Sequence, residues 1–196
     1  DIIKKNNRYF LLKNNDEVYP GRIEKMSKSK KNVVDPEIII DTYGADTARL
    51  FMLSDSPPDR DLEWLEAGVE GAWRYINKLW NLVNDKSFTF IQTKTTPPEK
   101  LSNDEKNLYQ LIHKTIFGVT NDLEKFHFNK AIARIRELTN SIEALNASKP
   151  KSDWLRQHSI QTLIKLINPM VPHLAEEMWS QIGQTEILAN TAWPKA

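Results

Sequence analysis

The feature that most constrains this chain is a run of apolar residues at Leu65, Val69, Ala72, Ile76, Leu79 and Val83. The steps alternate between four and three, so all six fall on one face of a helix. Trp73 and Trp80 widen that face, which reads four of the six tryptophans, Trp64, Trp73, Trp80 and Trp179, as core residues. A helix apolar on one side only must bury that side against other elements. Three later segments offer matching stripes: about 102–126 through Leu108, Ile112, Ile116 and Val119; about 129–147 through Ile132, Ile135, Leu138 and Ile142; and about 152–167 through Leu155, Leu163, Ile164 and Ile167. A last short helix is expected over 172–182, and Thr93–Pro98 is a polar, proline-containing break. The fold class this predicts is mainly α, an antiparallel helical bundle.

Residues before 62 follow different rules. Tyr9–Leu12 and Val18-Tyr19 flank Asn14-Asn15-Asp16, which predicts a β-hairpin. Residues 25–34 carry almost no apolar bulk and predict an exposed loop. Asp35-Pro36-Glu37 is a helix start, with proline at the first helical position and glutamate at the positive end of the dipole. Gly44 interrupts that helix, a second short one follows, and Pro57-Pro58 forces a connector. The chain therefore divides into a short α+β junction over 1–61 and a bundle over 62–196.

Composition narrows the chemistry. With 40% hydrophobic and 27% charged residues among 196, the chain is of ordinary globular type. No run approaches the ~18 apolar residues a membrane span needs. Cysteine is absent, and His113, His127, His158 and His173 have no ligand-like spacing, so no metal site is expected. A net charge of +1 means that any nucleic-acid binding must come from local clusters.

One cluster stands out: Lys25-Met26-Ser27-Lys28-Ser29, followed by Lys30-Lys31-Asn32-Val33-Val34-Asp35-Pro36 and then by Gly44-Ala45-Asp46-Thr47-Ala48-Arg49. The pentapeptide resembles the second signature of class I aminoacyl-tRNA synthetases, and both extensions stand at family-like distances. The resemblance implies amino-acid activation by in-line attack of a carboxylate on the α-phosphate of ATP, with Mg2+ accompanying the nucleotide. Negative charge then grows on the bridging oxygen and the departing pyrophosphate, where ammonium groups stabilise the transition state more than the ground state. Lysine suits the task as a compact charge on a flexible stem. By resemblance Lys28 is the principal phosphate-contacting lysine and Lys25 its support. Met26, Ser27 and Ser29 complete the ATP-binding loop. Lys30 and Lys31 are expected to be solvated charges.

Leu62-Glu63-Trp64 with Gly68-Val69-Glu70-Gly71-Ala72 is similar to the leucyl branch of that class. The string Pro172-His173-Leu174-Ala175-Glu176-Glu177-Met178-Trp179 is shared with isoleucyl and valyl relatives. The resemblance runs from about Arg22 to Pro194. It implies a piece of a monomeric, cytoplasmic leucine–tRNA ligase whose partners are leucine, ATP and leucine tRNA. Further domains are expected on both sides. No His-x-Gly-His sequence occurs in the chain, so the piece by itself is expected to be inactive. An isoleucyl or valyl member, or a stand-alone tRNA-binding helical module, is the alternative. A plain helical interaction domain is a more distant one. For the bundle, the resemblance implies contacts to the body of the tRNA through basic side chains. Arg74 and Lys78, four apart on one helix, are the first candidates, and Arg134 and Arg136 the second pair.

Overall fold

The computed structural model describes residues 2–6, 8–19, 21–85, 90, 100–147 and 152–196. The expected break at 93–98 lies outside them. Two compact units, residues 1–35 and 36–196, are resolved by their internal packing. This division falls earlier than 61/62 because the helices over 36–55 pack within the bundle.

In the first unit the expected hairpin gains a strand. β1 (Ile2–Lys5), β2 (Arg8–Leu11) and β3 (Glu17–Val18) form an antiparallel sheet in the order β1-β2-β3. Lys5 pairs with Arg8 and Tyr9 with Val18. The sequence reading missed β1 because Ile2-Ile3-Lys4-Lys5 does not alternate. Pairing to β2 recruits it, and Asn6 turns the chain at a φ of 48°, a conformation asparagine tolerates. No described residue of this unit is buried, so the sheet has no closed core.

The second unit holds the helices: α1 (Pro36–Tyr43), α2 (Ala45–Asp55), α3 (Glu66–Val83), α4 (Asn103–Glu124), α5 (Phe128–Ala147), α6 (Asp153–Ile167) and α7 (Pro172–Gln181). Their apolar faces meet in a single core containing Leu50, Leu79, Ile112, Ile135, Ile142 and Ile164, each fully buried. Capping chemistry sets the ends. Ser102 and Glu105 form a reciprocal capping box on α4, and Ser152 Oγ caps α6. The second oxygen of Glu105 also accepts the Ser152 N–H at 2.9 Å, joining the two helix starts.

Two expectations fail at α3. Leu65 is 52% exposed and precedes the helix, which starts at Glu66. Leu62 and Trp64 instead alternate inward along an extended segment, with Trp64 edge-on to Phe51 at 5.1 Å. Trp73 is 44% exposed and touches Tyr43 edge-on at 6.5 Å, because Tyr75 takes the core-facing position. Trp179 is buried as expected, while Trp64 and Trp80 flank the core.

The Gly44-Ala45-Asp46-x-x-Arg49 segment serves packing. Gly44 turns between α1 and α2 at a φ of 85°. Asp46 Oδ2 then accepts the Leu174 N–H at 2.7 Å, and Asp46 Oδ1 faces His173 Nδ1 at 3.0 Å. Arg49 donates to the Met170 and Pro169 carbonyls at 3.1 and 2.9 Å. Thus α2 caps the start of α7, which has no side-chain cap of its own.

Candidate functional site

Residues 25–32 form a small turn built from their own polar atoms. Ser27 begins a single 3₁₀ turn over Lys28–Lys30, and its Oγ accepts the Lys30 N–H at 3.4 Å. Ser29 Oγ lies 3.2 Å from Ser27 Oγ. Asn32 closes the loop: its Oδ1 accepts the Ser27 N–H at 2.8 Å and its Nδ2 donates to the Lys25 carbonyl at 3.4 Å. Lys31 ends the turn in the left-handed region, at a φ of 53°.

The four lysines separate by partner. Lys30 Nζ reaches Glu24 at 2.6 Å, and Arg22 meets the same carboxylate at 3.3 Å. Lys30, and after it Arg22, hold the Glu24 carboxyl below its usual range. Lys30 therefore carries a satisfied charge. Lys25 and Lys28 are exposed and form no ion pair among the described residues, so their ammonium groups are available to an anion. Met26 is 41% exposed, which leaves its thioether beside them without a core role.

On the bundle, three of the four basic candidates gather on one face. Arg74, Lys78 and Arg136 line a recess of 260 Å³ with Tyr75 and Asn140. The Arg136 guanidinium lies over the Tyr75 ring at 4.6 Å, and its buried Nε has no hydrogen-bond partner among the described residues. Tyr75 OH is held 2.9 Å from Thr139 Oγ1, and burial pushes its pKa up to about 12, so it stays a neutral platform. Lys78 bridges to Glu143 at 2.7 Å and Asn140 at 2.9 Å, while Arg74 meets Glu70 only at 3.6 Å. Arg134 stands apart. Its guanidinium binds Asp122 at 2.7 Å, and its stem lies so close over Gly118 that a Cβ there would sit 2.8 Å from it. Two residues apart on α5, Arg134 and Arg136 are thus sent to different neighbours.

Residues 17–65 match the family described as tRNA synthetases class I (I, L, M and V), and residues 105–196 match the anticodon-binding domain of tRNA ligase. Over 90% of its length the chain is 55% identical to leucine–tRNA ligase of Paramagnetospirillum magneticum, covering 20% of that protein. Over 94% it is 49% identical to the Rhodospirillum rubrum leucine–tRNA ligase, covering 21%. The chain is similar to leucine–tRNA ligases over nearly all of its length. It spans about a fifth of the length of these curated relatives. The fold agrees: a LeuRS crystallised as a ternary LeuRS–tRNA–LeuAMS complex, from Agrobacterium radiobacter K84, superposes with a TM-score of 0.78 at 29% identity. That match covers 87% of this chain and 22% of the other. The leucyl reading therefore holds over the isoleucyl and valyl alternatives.

Sequence reasoning missed three site-forming residues. Asn32 was noted as part of a pattern, without its role of closing the signature loop. Tyr75 and Asn140 were not singled out, although Asn140 stands four residues after Arg136 and so shares its face. Among the described residues no group of His, Asp or Glu could hold a metal ion, and no helix is long and apolar enough to cross a membrane.

Proposed function

We propose that the segment supplies one half of an ATP site and a tRNA-docking bundle to a leucine–tRNA ligase, which joins leucine to its tRNA at the expense of ATP. The observation that carries this reading is the turn in which Glu24 neutralises Lys30 while Lys25 and Lys28 have no ion pair among the described residues. In the reaction the leucine carboxylate attacks the α-phosphate of ATP and the bond to pyrophosphate breaks. Lys28, supported by Lys25, neutralises charge on the departing phosphates, and Ser27, Ser29 and Asn32 keep the turn in shape. Mg2+ would accompany the nucleotide, held by its phosphates.

Residues 1–61 then belong to the end of the catalytic domain, which the class I match over 17–65 supports, and 62–196 to the tRNA-contacting bundle. Arg74, Lys78 and Arg136 would take tRNA phosphates, with Arg134 a weaker contributor because Asp122 occupies it. Such contacts position the RNA without reading its sequence. A monomer in the cytoplasm is the setting proposed. With no His-x-Gly-His sequence in its 196 residues, the chain alone would not activate leucine.

The loop is tested by exchanging this segment into the Paramagnetospirillum magneticum enzyme and measuring ATP–pyrophosphate exchange. Lys28→Ala should lower the rate by about 100- to 1,000-fold and Lys25→Ala by less. An unchanged Lys28→Ala rate would overturn the assignment. The bundle is tested by binding of the 196-residue chain to leucine and isoleucine tRNA transcripts across a salt series. Removing Arg136 or Arg74 should weaken binding and reduce the salt slope by about one each.

A further inference from the structure

At the corner between α4 and α5 the chain does something costly. Phe126 sits at a φ of 57°, a left-handed conformation that strains any residue with a Cβ. The corner is the hydrogen-bonded helix ending usually occupied by glycine: His127 N–H donates to the Asp122 carbonyl at 2.7 Å and Phe126 N–H to the Leu123 carbonyl at 3.0 Å. The ring found there gains no burial in exchange, being 65% exposed. It forms a T-shaped pair with Phe128, with ring centroids 5.9 Å apart. A largely exposed aromatic at a strained position, with a second ring set nearly perpendicular to it, is better explained by a ligand than by the core.

Phe126 lines a 680 Å³ recess with Pro58, Arg60, Lys125, His127 and Lys130. Arg60, Lys125 and Lys130 form no ion pair among the described residues. Two carboxylates, Asp55 and Asp59, also reach the recess. A site for a bare phosphate would exclude them. An unpaired nucleobase would use them, since carboxylates accept hydrogen bonds from exocyclic amino groups while the cations take the flanking phosphates. Stacking on the exposed Phe126 ring would supply the remaining contact.

We infer that Phe126 is a stacking platform for an unpaired base of the bound tRNA, seated between Pro58 and the Arg60, Lys125 and Lys130 cations. This rests on the reading that the bundle docks tRNA, and it adds a stacking site separate from the Arg74–Arg136 recess. The test exploits the strain. Phe126→Gly removes the ring and relieves the backbone, so it should hold or raise the melting temperature while weakening tRNA binding. The loss should be about 5- to 100-fold, with an unchanged salt slope because no charge is removed. Phe126→Trp should retain affinity. Binding to a fully paired RNA duplex of similar length, which offers no free base, should not respond to Phe126→Gly. A Phe126→Gly chain that binds tRNA like the wild type would overturn the platform and leave the phosphate-docking reading intact. Equal losses on tRNA and duplex would also overturn it, since the ring would then be packing against backbone. A wild-type chain with no affinity for tRNA at any salt would sink both readings, whereas binding weakened by Arg136→Ala and untouched by Phe126→Gly would sink the platform alone.

Discussion

Asp46 should be worth more to this fold than any surface contact its neighbour His173 can make. Its carboxylate reaches from α2 to the first turn of α7, accepting the Leu174 N–H at 2.7 Å. Val171, at the cap position, offers no side-chain bond, and Pro172 has no N–H, so Asp46 is the cap of that helix. Replacing a cap by alanine costs ~1–2 kcal/mol. The negative charge at the positive end of a partly buried helix adds ~1 kcal/mol. The Asp46 side chain is 10% exposed and that of His173 is 78% exposed, so the pairing between them contributes well under ~1 kcal/mol. The sum for Asp46→Ala is ~2–3 kcal/mol, or a fall in melting temperature of roughly 4–12 °C for a domain of this size. Asp46→Asn keeps an acceptor and should lose about half as much. His173→Ala should lose less than ~1 kcal/mol. Urea denaturation followed by circular dichroism at neutral pH measures all three. The reasoning is refuted if Asp46→Ala stays within 0.5 kcal/mol of wild type on that measurement, allowing for the error usual in such data. It is also refuted if His173→Ala matches Asp46→Ala, because the contact would then be a surface ion pair rather than a cap.

Two glycines of α3 should respond in opposite directions in thermal melts. A Cβ at Gly68 would sit 2.5 Å from the buried Phe51 ring, so Gly68→Ala should destabilise by ~1–3 kcal/mol, whereas Gly71, whose nearest contact is an Arg74 nitrogen at 3.8 Å, should gain ~0.5–1 kcal/mol as alanine. His158 has its pKa lowered from 6.5 by burial and then by the charge of His113. The unfolded chain therefore takes up a proton at a higher pH than the folded one, and stability should fall as pH drops below about 6.5. His158→Phe should flatten that limb of the stability–pH curve, and an unaltered curve would show that other groups govern it. In the signature loop, Asn32→Ala should leave the unfolding free energy unchanged within about 0.5 kcal/mol while speeding exchange of the Ser27 amide. Unchanged exchange would mean that Asn32 does not hold the turn.

The long helices were legible from spacing, because a 3.6-residue repeat must bury one face wherever its partners lie, and α1 and α2 from the Asp35-Pro36-Glu37 start and the Gly44 break. The signature loop was legible as a string, since its lysines and serines act through exposed chemistry. Other features needed three dimensions. Leu62–Leu65 carried an alternating pattern that the stronger helical stripe overrode, and only the Phe51–Trp64 contact decided for extended chain. Lys25, Lys28 and Lys30 are indistinguishable as letters. Their charges separate because Glu24 reaches Lys30 and leaves the other two unpaired among the described residues. Arg134 and Arg136 diverge for the same reason, one meeting Asp122 of α4 and the other Tyr75 of α3. Periodicity is a property of one helix and can be read along the chain. The availability of a charge depends on which residues the fold brings within reach, and those stand six positions away for Lys30, twelve for Arg134 and 61 for Arg136.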